Sequence, residues 1–393
     1  MKVILRGTTL GLLLCLSFII GYSAHSLINV PVSQPAEAQQ SEVFPLLTEA
    51  HNYVEQFYVK DQPDQRALEY AIIRAYLSQL GDPYTFFIEP AVAASESDAL
   101  AGRYGGIGVD IRRDEQANFV LYPYPQSPAE RLGIRNGDII VGINGTPLNP
   151  SATMDEIRQS LRGQIVEGAG VTLTVRNVAE TEEREYFIPF EEILEPSILW
   201  RTLFEAPEIG YMHIMRFTSR TPEEFNQAVT DLRAANVQAL VVDLRNNSGG
   251  LLQESIQIAG EFLDKDVITI ERRVEGESQM EDVPGGLMLD LPIVILVNHG
   301  TASAAEIVAG ALQAHERAIL IGQTTYGKGS IQRIFPLSDQ SSIHVTTALW
   351  LTPDSQPLDG IGLQPDISMI PDENGRDVEL GEAVRYLQQE LAE

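Results

Sequence analysis

The sequence predicts an α/β protein with more than one domain, and three observations carry that expectation. After Phe190, short apolar runs alternate with stretches of helical spacing, the pattern of an α/β layer fold. Between Tyr104 and Val175 the pattern is instead short strands broken by glycine turns, which marks a β-rich module. Ahead of both, from Ser41, apolar residues recur every three or four positions. A chain of 393 residues has room for two or three such cores. The expected organisation is a leader and linker over 1–40, a helical segment over 41–103, the β-rich module over 104–190 and the α/β core over 191–393.

The leader begins with Lys2 and Arg6, followed by an apolar run from about Thr8 to Ile20 and small residues from Gly21 to Ala24. That is the layout of a secretory signal. Apolar character continues to Ile28, so the same stretch also fits a retained membrane anchor; cleavage and anchoring both stay open. Either places the remaining chain outside the cytoplasm, in the periplasm or cell envelope. The sole cysteine, Cys15, lies inside this run, with Leu14 where a lipoprotein signal would want a small residue. A cleaved leader leaves no thiol, which excludes disulfides and a cysteine nucleophile. The Pro-, Ala-, Ser- and Gln-rich stretch from Asn29 to Gln40 reads as a linker. A formal charge of -28 argues against nucleic acid as a partner, since a phosphate backbone needs a clustered basic surface.

In the helical segment, Leu46, Leu47, Ala50, Tyr53, Val54 and Phe57 share one face, and Leu68, Ile72, Ile73, Tyr76, Leu77 and Leu80 another. Gly81-Asp82-Pro83 then breaks the helix. This segment reads as a structural layer with no part in chemistry. In the β-rich module, Thr153-Met154-Asp155-Glu156 forms a capping box that opens a helix with Ile157 and Leu161 inward, and Val171 to Val175 is a strand. In the core, Ile209 to Phe217, Ala239 to Leu244, Pro292 to Val297, Ala318 to Gly322 and Ser342 to Leu351 read as strands. Thr221-Pro222-Glu223-Glu224 supplies an N-cap, a first-turn proline and a capping glutamate for a helix running to about Ala234. Leu380, Val384, Leu387 and Leu391 make a closing amphipathic helix.

The chemistry points to Val297 to Gln332. Ser303 stands where an apolar strand gives way to a helix, near backbone N–H groups and the positive end of the dipole. Such a place suits a nucleophile whose attack creates an oxyanion, but Ser303-Ala304-Ala305-Glu306 is also a capping box, and on the serine alone the cap is the better reading. Lys328, between Gly327 and Gly329, is one of four lysines among 27 basic residues, with Lys2, Lys60 and Lys265. A desolvated lysine can be neutral near pH 7 and act as a base, which arginine cannot. If the chain is extended from Lys328, residues 328, 330 and 332 share a face, so the Gln332 amide can hold the lysine amine, with Ser330 nearby. An ordinary polar strand position is the alternative for Gln332. His299, His213 and His344 are weaker candidates for the base. No histidine or carboxylate cluster has metal-ligand spacing.

Two resemblances sharpen this reading. The order of short strands, with SPAERLGIRNGDIIVGINGTPL from Ser127 to Leu148, resembles a PDZ domain. In that family a glycine-rich loop offers backbone N–H groups to a peptide's terminal carboxylate, and the peptide adds as an extra strand. By position the loop is Tyr104, Gly105, Gly106, Ile107 and Gly108. From Ser41 to Asp366 the chain resembles the carboxyl-terminal processing peptidases, the tail-specific Ser/Lys proteases of family S41. The motifs are Gly81-Asp82-Pro83-Tyr84, the PDZ stretch, DLRNNSGG from Asp243, GTASAAEIVAGAL from Gly300, GKGSIQ from Gly327 and Gly362-Leu363-Gln364-Pro365-Asp366.

That resemblance implies a crotonase/ClpP-like α/β protease core with an inserted PDZ domain. It implies Ser303 as nucleophile, Lys328 as base, Gln332 as its support, and the N–H groups of Gly249 and Ala304 as the oxyanion hole. Arg162 is the match for an arginine that couples tail binding to the active site in relatives. Ala305 and Ser248 stand where the family often has serine and proline; neither position supplies a catalytic group. The implied substrates are proteins or peptides bound by their C-terminal tails, and no cofactor is required. Membrane anchorage, homo-oligomerisation and an activating partner stay open. A tail-binding PDZ module on an inert protease-like scaffold is the alternative function, and a crotonase-like acyl-CoA enzyme is disfavoured by the export signal.

Overall fold

The computed structural model describes residues 44–392, except 115, 150, 178–181, 265, 273–276, 283–285, 287–290 and 373–374. The expected signal or anchor, the linker and Cys15 lie outside the described residues. No helix among the described residues is long and apolar enough to cross a membrane. The chain divides into two compact units, one ending at Leu68 and one running from Glu69. In the first, α1 (Pro45–Phe57) opens on a first-turn proline, whose missing N–H costs nothing there, and stops where Tyr58 turns extended.

Helix α2 (Gln65–Ser78) carries the chain into the second unit. Gly81 then takes a positive φ of 69°, and the break expected at Gly81-Asp82-Pro83 turns the chain into β1 (Phe86–Ile88). Helical spacing alone did not reveal this strand. It pairs antiparallel with residues 342–344 of the core, so the Gly81 turn is anchored by backbone hydrogen bonds. Tyr70, Leu77 and Phe87 close a small core there with Leu337 and Ile343.

Helix α3 (Pro90–Leu100) and β2 (Arg103–Gly106) lead into the β-rich module. It comprises β3 (Val109–Arg113), β4 (Phe119–Pro123), the short α4 (Pro128–Arg131), β5 (Asp138–Ile143), β6 (Thr146–Pro147), α5 (Met154–Ser160), β7 (Gly170–Arg176) and β8 (Glu183–Pro189). The strand order is β3-β4-β5-β7-β8, with β6 on β5, so β3 is an edge strand. Val171, Leu173 and Val175 alternate inward along β7 and meet Ile157 and Leu161 of α5. The expected capping box of Thr153 and Glu156 opens α5. The chain leaves by β9 (Glu191–Leu194), which pairs antiparallel with β2. Entrance and exit of the module are thus one two-stranded ribbon.

The core continues through β10 (Ile198–Thr202), β11 (Ile209–Ile214), α6 (Thr221–Ala234), β12 (Ala239–Asp243) and α7 (Leu252–Gly260). It then runs through β13 (Asp266–Arg272), β14 (Glu277–Asp282), β15 (Ile293–Val297), α8 (Ala304–Ala314) and β16 (Ile319–Gly322). It ends with β17 (Ser330–Pro336), β18 (Ser342–Leu351), β19 (Ile367–Ser368) and α9 (Val378–Glu390). The central sheet has the order β10-β11-β12-β15-β16-β19, parallel from β11 onward. A parallel sheet must be covered on both faces, which is why β12 and β15 are buried at every position. Leu240, Val242, Ile295 and Val297 pack with α6, α7 and α8 on one face; Val241, Val294 and Leu296 pack with Ala383 and Leu387 of α9 on the other. A second sheet, β1-β18-β13-β14 with β17 on β18, carries the lysine-bearing loop at one end.

The start of α6 differs from expectation. Its N-cap is Arg220, and the Thr221 hydroxyl instead accepts from Thr218 N–H at 2.8 Å and donates to Ser197 Oγ at 3.0 Å. Glu224 serves the neighbouring strand by accepting from Ser197 N–H at 2.6 Å. Phe225 of α6 is fully buried, edge-on to Phe262 with ring centroids 5.4 Å apart. Phe225→Ala, which empties that space, is expected to destabilise the core by about 3–5 kcal/mol in urea unfolding.

Candidate active site

Ser303 lies between β15 and α8, in a conformation side chains rarely adopt: φ is 54° and ψ is -120°. A non-glycine residue held there costs on the order of 1–3 kcal/mol and persists only where its surroundings over-determine it. Three contacts do so. Thr301, fully buried, donates its hydroxyl to Leu244 O at 2.8 Å, and Ala302 N–H donates to Asn247 O at 2.9 Å. Ser303 N–H donates to Glu306 Oε2 at 2.8 Å. The expected cap is therefore carried by Glu306, while the Ser303 hydroxyl makes no capping hydrogen bond and stays half-exposed.

Glu306 is fully buried, yet its carboxylate accepts four hydrogen bonds. Besides Ser303 N–H, it takes Lys328 N–H on Oε2 at 2.9 Å, and Gly327 N–H at 2.7 Å and the Thr325 hydroxyl at 2.5 Å on Oε1. One side chain thereby binds the serine turn to the lysine loop. On its other side Lys328 O accepts from Trp350 Nε1 at 3.1 Å. The lysine backbone is held at both ends of its peptide units.

The Lys328 side chain is half-buried, and its amine lies 5.0 Å from the centre of the Tyr84 ring. It has no hydrogen bond or ion pair among the described residues, so no bond joins it to Ser303 or Gln332. Burial pushes its pKa below the ordinary lysine range, opposed by the charges of Asp82, Glu96 and Glu306. Gln332 donates its amide to Ser330 Oγ at 2.8 Å, so residues 330 and 332 do share a face. A bulge between Ile331 and Gln332 re-aims that face and sets Gln332 opposite Thr346 of β18.

The DLRNNSGG loop follows β12 and presses against the serine turn. A Cβ on Gly249 (φ 102°) would lie 2.8 Å from Ser303 Cβ, and one on Gly250 (φ 141°) only 2.0 Å from Phe217 O. Asn247, fully buried, donates to Ile214 O at 2.8 Å and accepts from Gly249 N–H at 2.9 Å. The Gly249 N–H is therefore already engaged, whereas those of Gly250 and Ala304 have no partner among the described residues. Asn246 and Asn298 exchange hydrogen bonds of 2.9 and 3.0 Å, which tie this loop to the one after β15. Arg245 anchors its start, between Asp243 at 2.6 Å and Asp377 of the C-terminal helix at 2.8 Å.

In the β-rich module, Ile107 is buried and its carbonyl accepts from Ala129 N–H at 3.1 Å. Gly106 forms a β-bridge with Arg162, and Gly105 O accepts from Gly163 N–H at 3.0 Å, so the Tyr104–Gly108 loop lies against the end of α5. The Arg162 guanidinium covers the Tyr104 ring at 3.8 Å and pairs with Glu195, just past β9, at 3.2 Å. It touches both the loop and the strand that returns the chain to the core.

His299 is exposed, and His344 is buried against Glu96 with Nε2 2.9 Å from Oε2; neither bonds to Ser303. Sequence reasoning missed Asp82 and Tyr84, because the helical period around them pointed to a structural layer. The only signal was the Gly-Asp-Pro-Tyr motif itself.

Comparison with known proteins identifies two domains and several relatives. Residues 208–369 match the model of peptidase family S41, and residues 119–177 that of the PDZ domain. The chain is 33% identical over 336 residues to a carboxy-terminal-processing protease of Bartonella bacilliformis, covering 83% of this chain and 76% of that one. It is 32% identical over 337 residues to a chloroplastic C-terminal processing peptidase of Tetradesmus obliquus, covering 82% and 72%. Among solved structures it is similar to a photosystem II D1 C-terminal processing protease, with 30% identity, a TM-score of 0.50, and coverage of 87% and 91%.

The strained serine generates a stability prediction. Glycine adopts the Ser303 conformation freely, and that relief exceeds its larger entropy loss on folding. Ser303→Gly is expected to be about 1 kcal/mol more stable than Ser303→Ala in thermal unfolding, with neither variant retaining the hydroxyl.

Proposed function

The chain belongs to the C-terminal-processing serine proteases of family S41, and from that premise we propose that Ser303 is its nucleophile and Lys328 its general base. The observation that carries this reading is the strained Ser303 turn and the Lys328 loop sharing the one buried carboxylate of Glu306. In the first step neutral Lys328 takes the Ser303 proton as the serine oxygen attacks the peptide carbonyl. The Ala304 N–H, at the first turn of α8, receives the oxyanion, and Gly249 joins it once its N–H leaves Asn247 Oδ1. On collapse the Lys328 ammonium gives its proton to the leaving amine, and the lysine, neutral again, takes a proton from the water that hydrolyses the acyl-enzyme and returns it to the Ser303 oxygen.

For the lysine to act it must swing from the Tyr84 face to the serine. Gln332, whose amide nitrogen is occupied by Ser330, has its oxygen left to receive the amine there. The absence of a Lys328–Ser303 bond is the one observation that favours the alternative, a tail-binding module without turnover. A serine-reactive phosphonate probe separates the two: phosphonylation of the Ser303 oxygen, with loss of the probe's leaving group, excludes the inert reading.

The substrate class follows from the PDZ module. Edge strand β3 has one side unpaired by the sheet and follows the Tyr104–Gly108 loop. A protein's C-terminal tail is read as adding to β3, its carboxylate on the loop N–H groups, with Arg162 relaying occupancy to β9. The N-terminal layout argues for an extracytoplasmic site of action.

Four outcomes test this. Ser303→Ala and Lys328→Ala each lower kcat on an unstructured protein tail by at least about a thousandfold. Lys328→Arg is equally inactive, because it keeps the charge and loses the base. Wild-type kcat/KM rises with pH as the ammonium loses its proton, and the midpoint lies below the ordinary lysine range near 10 because burial depresses it. Amidating the tail's C-terminus, which removes the carboxylate from the PDZ loop, lowers kcat/KM about tenfold while leaving the bond cleaved unchanged.

A further inference from the structure

Lys328 is bordered by a turn that belongs to neither the serine loop nor the PDZ module. Asp82 sits at the Gly81-Asp82-Pro83-Tyr84 break, fixed by two donors: Tyr84 N–H to Oδ1 at 3.0 Å and the Thr85 hydroxyl to Oδ2 at 2.6 Å. Thr85 Oγ1 in turn accepts from Thr346 N–H at 3.0 Å, so the carboxylate is tied to β18 opposite Gln332. Beside it lies the buried Thr346 hydroxyl, which as a donor favours the ionised Asp82 carboxylate.

We propose that Asp82 is a positioning residue for the proton transfer, its carboxylate stabilising the ammonium form of Lys328, with Tyr84 supplying the ring face on which that cation rests in the free enzyme and to which it returns after taking the Ser303 proton. The assignment rests on Lys328 being the base. The balance is simple: the Ser303 O–H bond breaks, an N–H bond forms on Lys328, and a positive charge appears on a half-buried nitrogen. Such a charge needs a counter-ion where water is scarce. Three carboxylates act on it. Glu306 already accepts four hydrogen bonds, Glu96 of α3 is engaged with His344, and Asp82 has the strongest effect of the three. Partial burial raises the Asp82 pKa, but the neighbouring Thr346 hydroxyl, the Thr85 and Tyr84 hydrogen bonds and the Lys328 charge outweigh it, so the group is ionised across the working range. The Tyr84 phenol is pushed up to about 12 by burial and by Tyr326, with Asp359 and Glu306 adding to it, and so stays neutral beneath the cation.

The sign of the effect follows. Removing the Asp82 charge destabilises the ammonium, lowers the lysine pKa and frees the base at lower pH. Asp82→Asn is expected to move the acid limb of the kcat/KM profile down by about one pH unit and to lower the plateau about tenfold. Tyr84→Leu moves the limb the same way by a smaller amount, whereas Tyr84→Phe, which keeps the ring, leaves it in place. A merely structural turn would lower activity in all three without moving the limb. Full-length protein is used, and the Tyr84 pair decides the matter if Asp82→Asn does not fold. A limb that stays put in Asp82→Asn, or shifts equally in Tyr84→Leu and Tyr84→Phe, overturns the proposal. An acid limb that survives in an active Lys328→Arg enzyme overturns the base assignment itself.

Discussion

The candidate active site depends on one buried carboxylate. Glu306 has no exposure to solvent, and an isolated charge there would be prohibitive. Four donors make it tolerable, and they come from two separate loops: Ser303 from the turn after β15, and Thr325, Gly327 and Lys328 from the loop after β16. The carboxylate cannot be satisfied unless both loops are in place. Its desolvation cost therefore sets the distance between the serine and lysine backbones, and it supports the left-handed turn at Ser303. A shorter or apolar side chain would leave several buried N–H groups without partners.

The backbone of the site is much better determined than the lysine side chain. Both ends of the Lys328 peptide are bonded, and the serine turn is braced by Thr301, Asn247 and Glu306, whereas the amine itself makes no hydrogen bond among the described residues and meets the Tyr84 ring and the charges of Asp82, Glu96 and Glu306. A braced backbone around an unbonded amine suits the proposed base, whose contact with the serine would form when substrate arrives. The Gly249 N–H, the proposed second oxyanion donor, is held in the same frame by Asn247.

The PDZ module hangs on the core by the β2–β9 ribbon, and Arg162 lies across its neck. A tail bound beside β3 would press on the same loop that Arg162 bridges. The turn at Gly81 reaches the lysine by another route, stitched through β1 to β18. Segments distant in sequence thus border one amine: the Gly81 turn, α3, α8 and the loop before β17.

Much of this was legible in the amino-acid order. The parallel strands from Ile209, Ala239, Pro292 and Ala318 were readable because strands buried on both faces are continuous apolar runs, and α5 because Thr153 and Glu156 announce its start. Ser303 and Lys328 stood out as a candidate pair from a strand-to-helix turn, a rare lysine between glycines and the motifs around them, and the structure ties their two backbones to one carboxylate. What the order of residues could not show is which side of a capping box does what. Ser303-Ala304-Ala305-Glu306 has the same letters whether the serine caps the helix or the glutamate does; only the backbone strain at Ser303 and the donors arriving from residues 325–328 separate the two. Nor could it place Asp82 and Tyr84 at the amine, since they stand more than two hundred positions away and are brought there by a three-residue strand too short to announce itself. Local pattern determined the elements, because propensity and periodicity act within a few residues. Tertiary structure alone decided the electrostatics of Lys328, because desolvation and charge depend on what lies within a few ångströms, whatever its place in the chain.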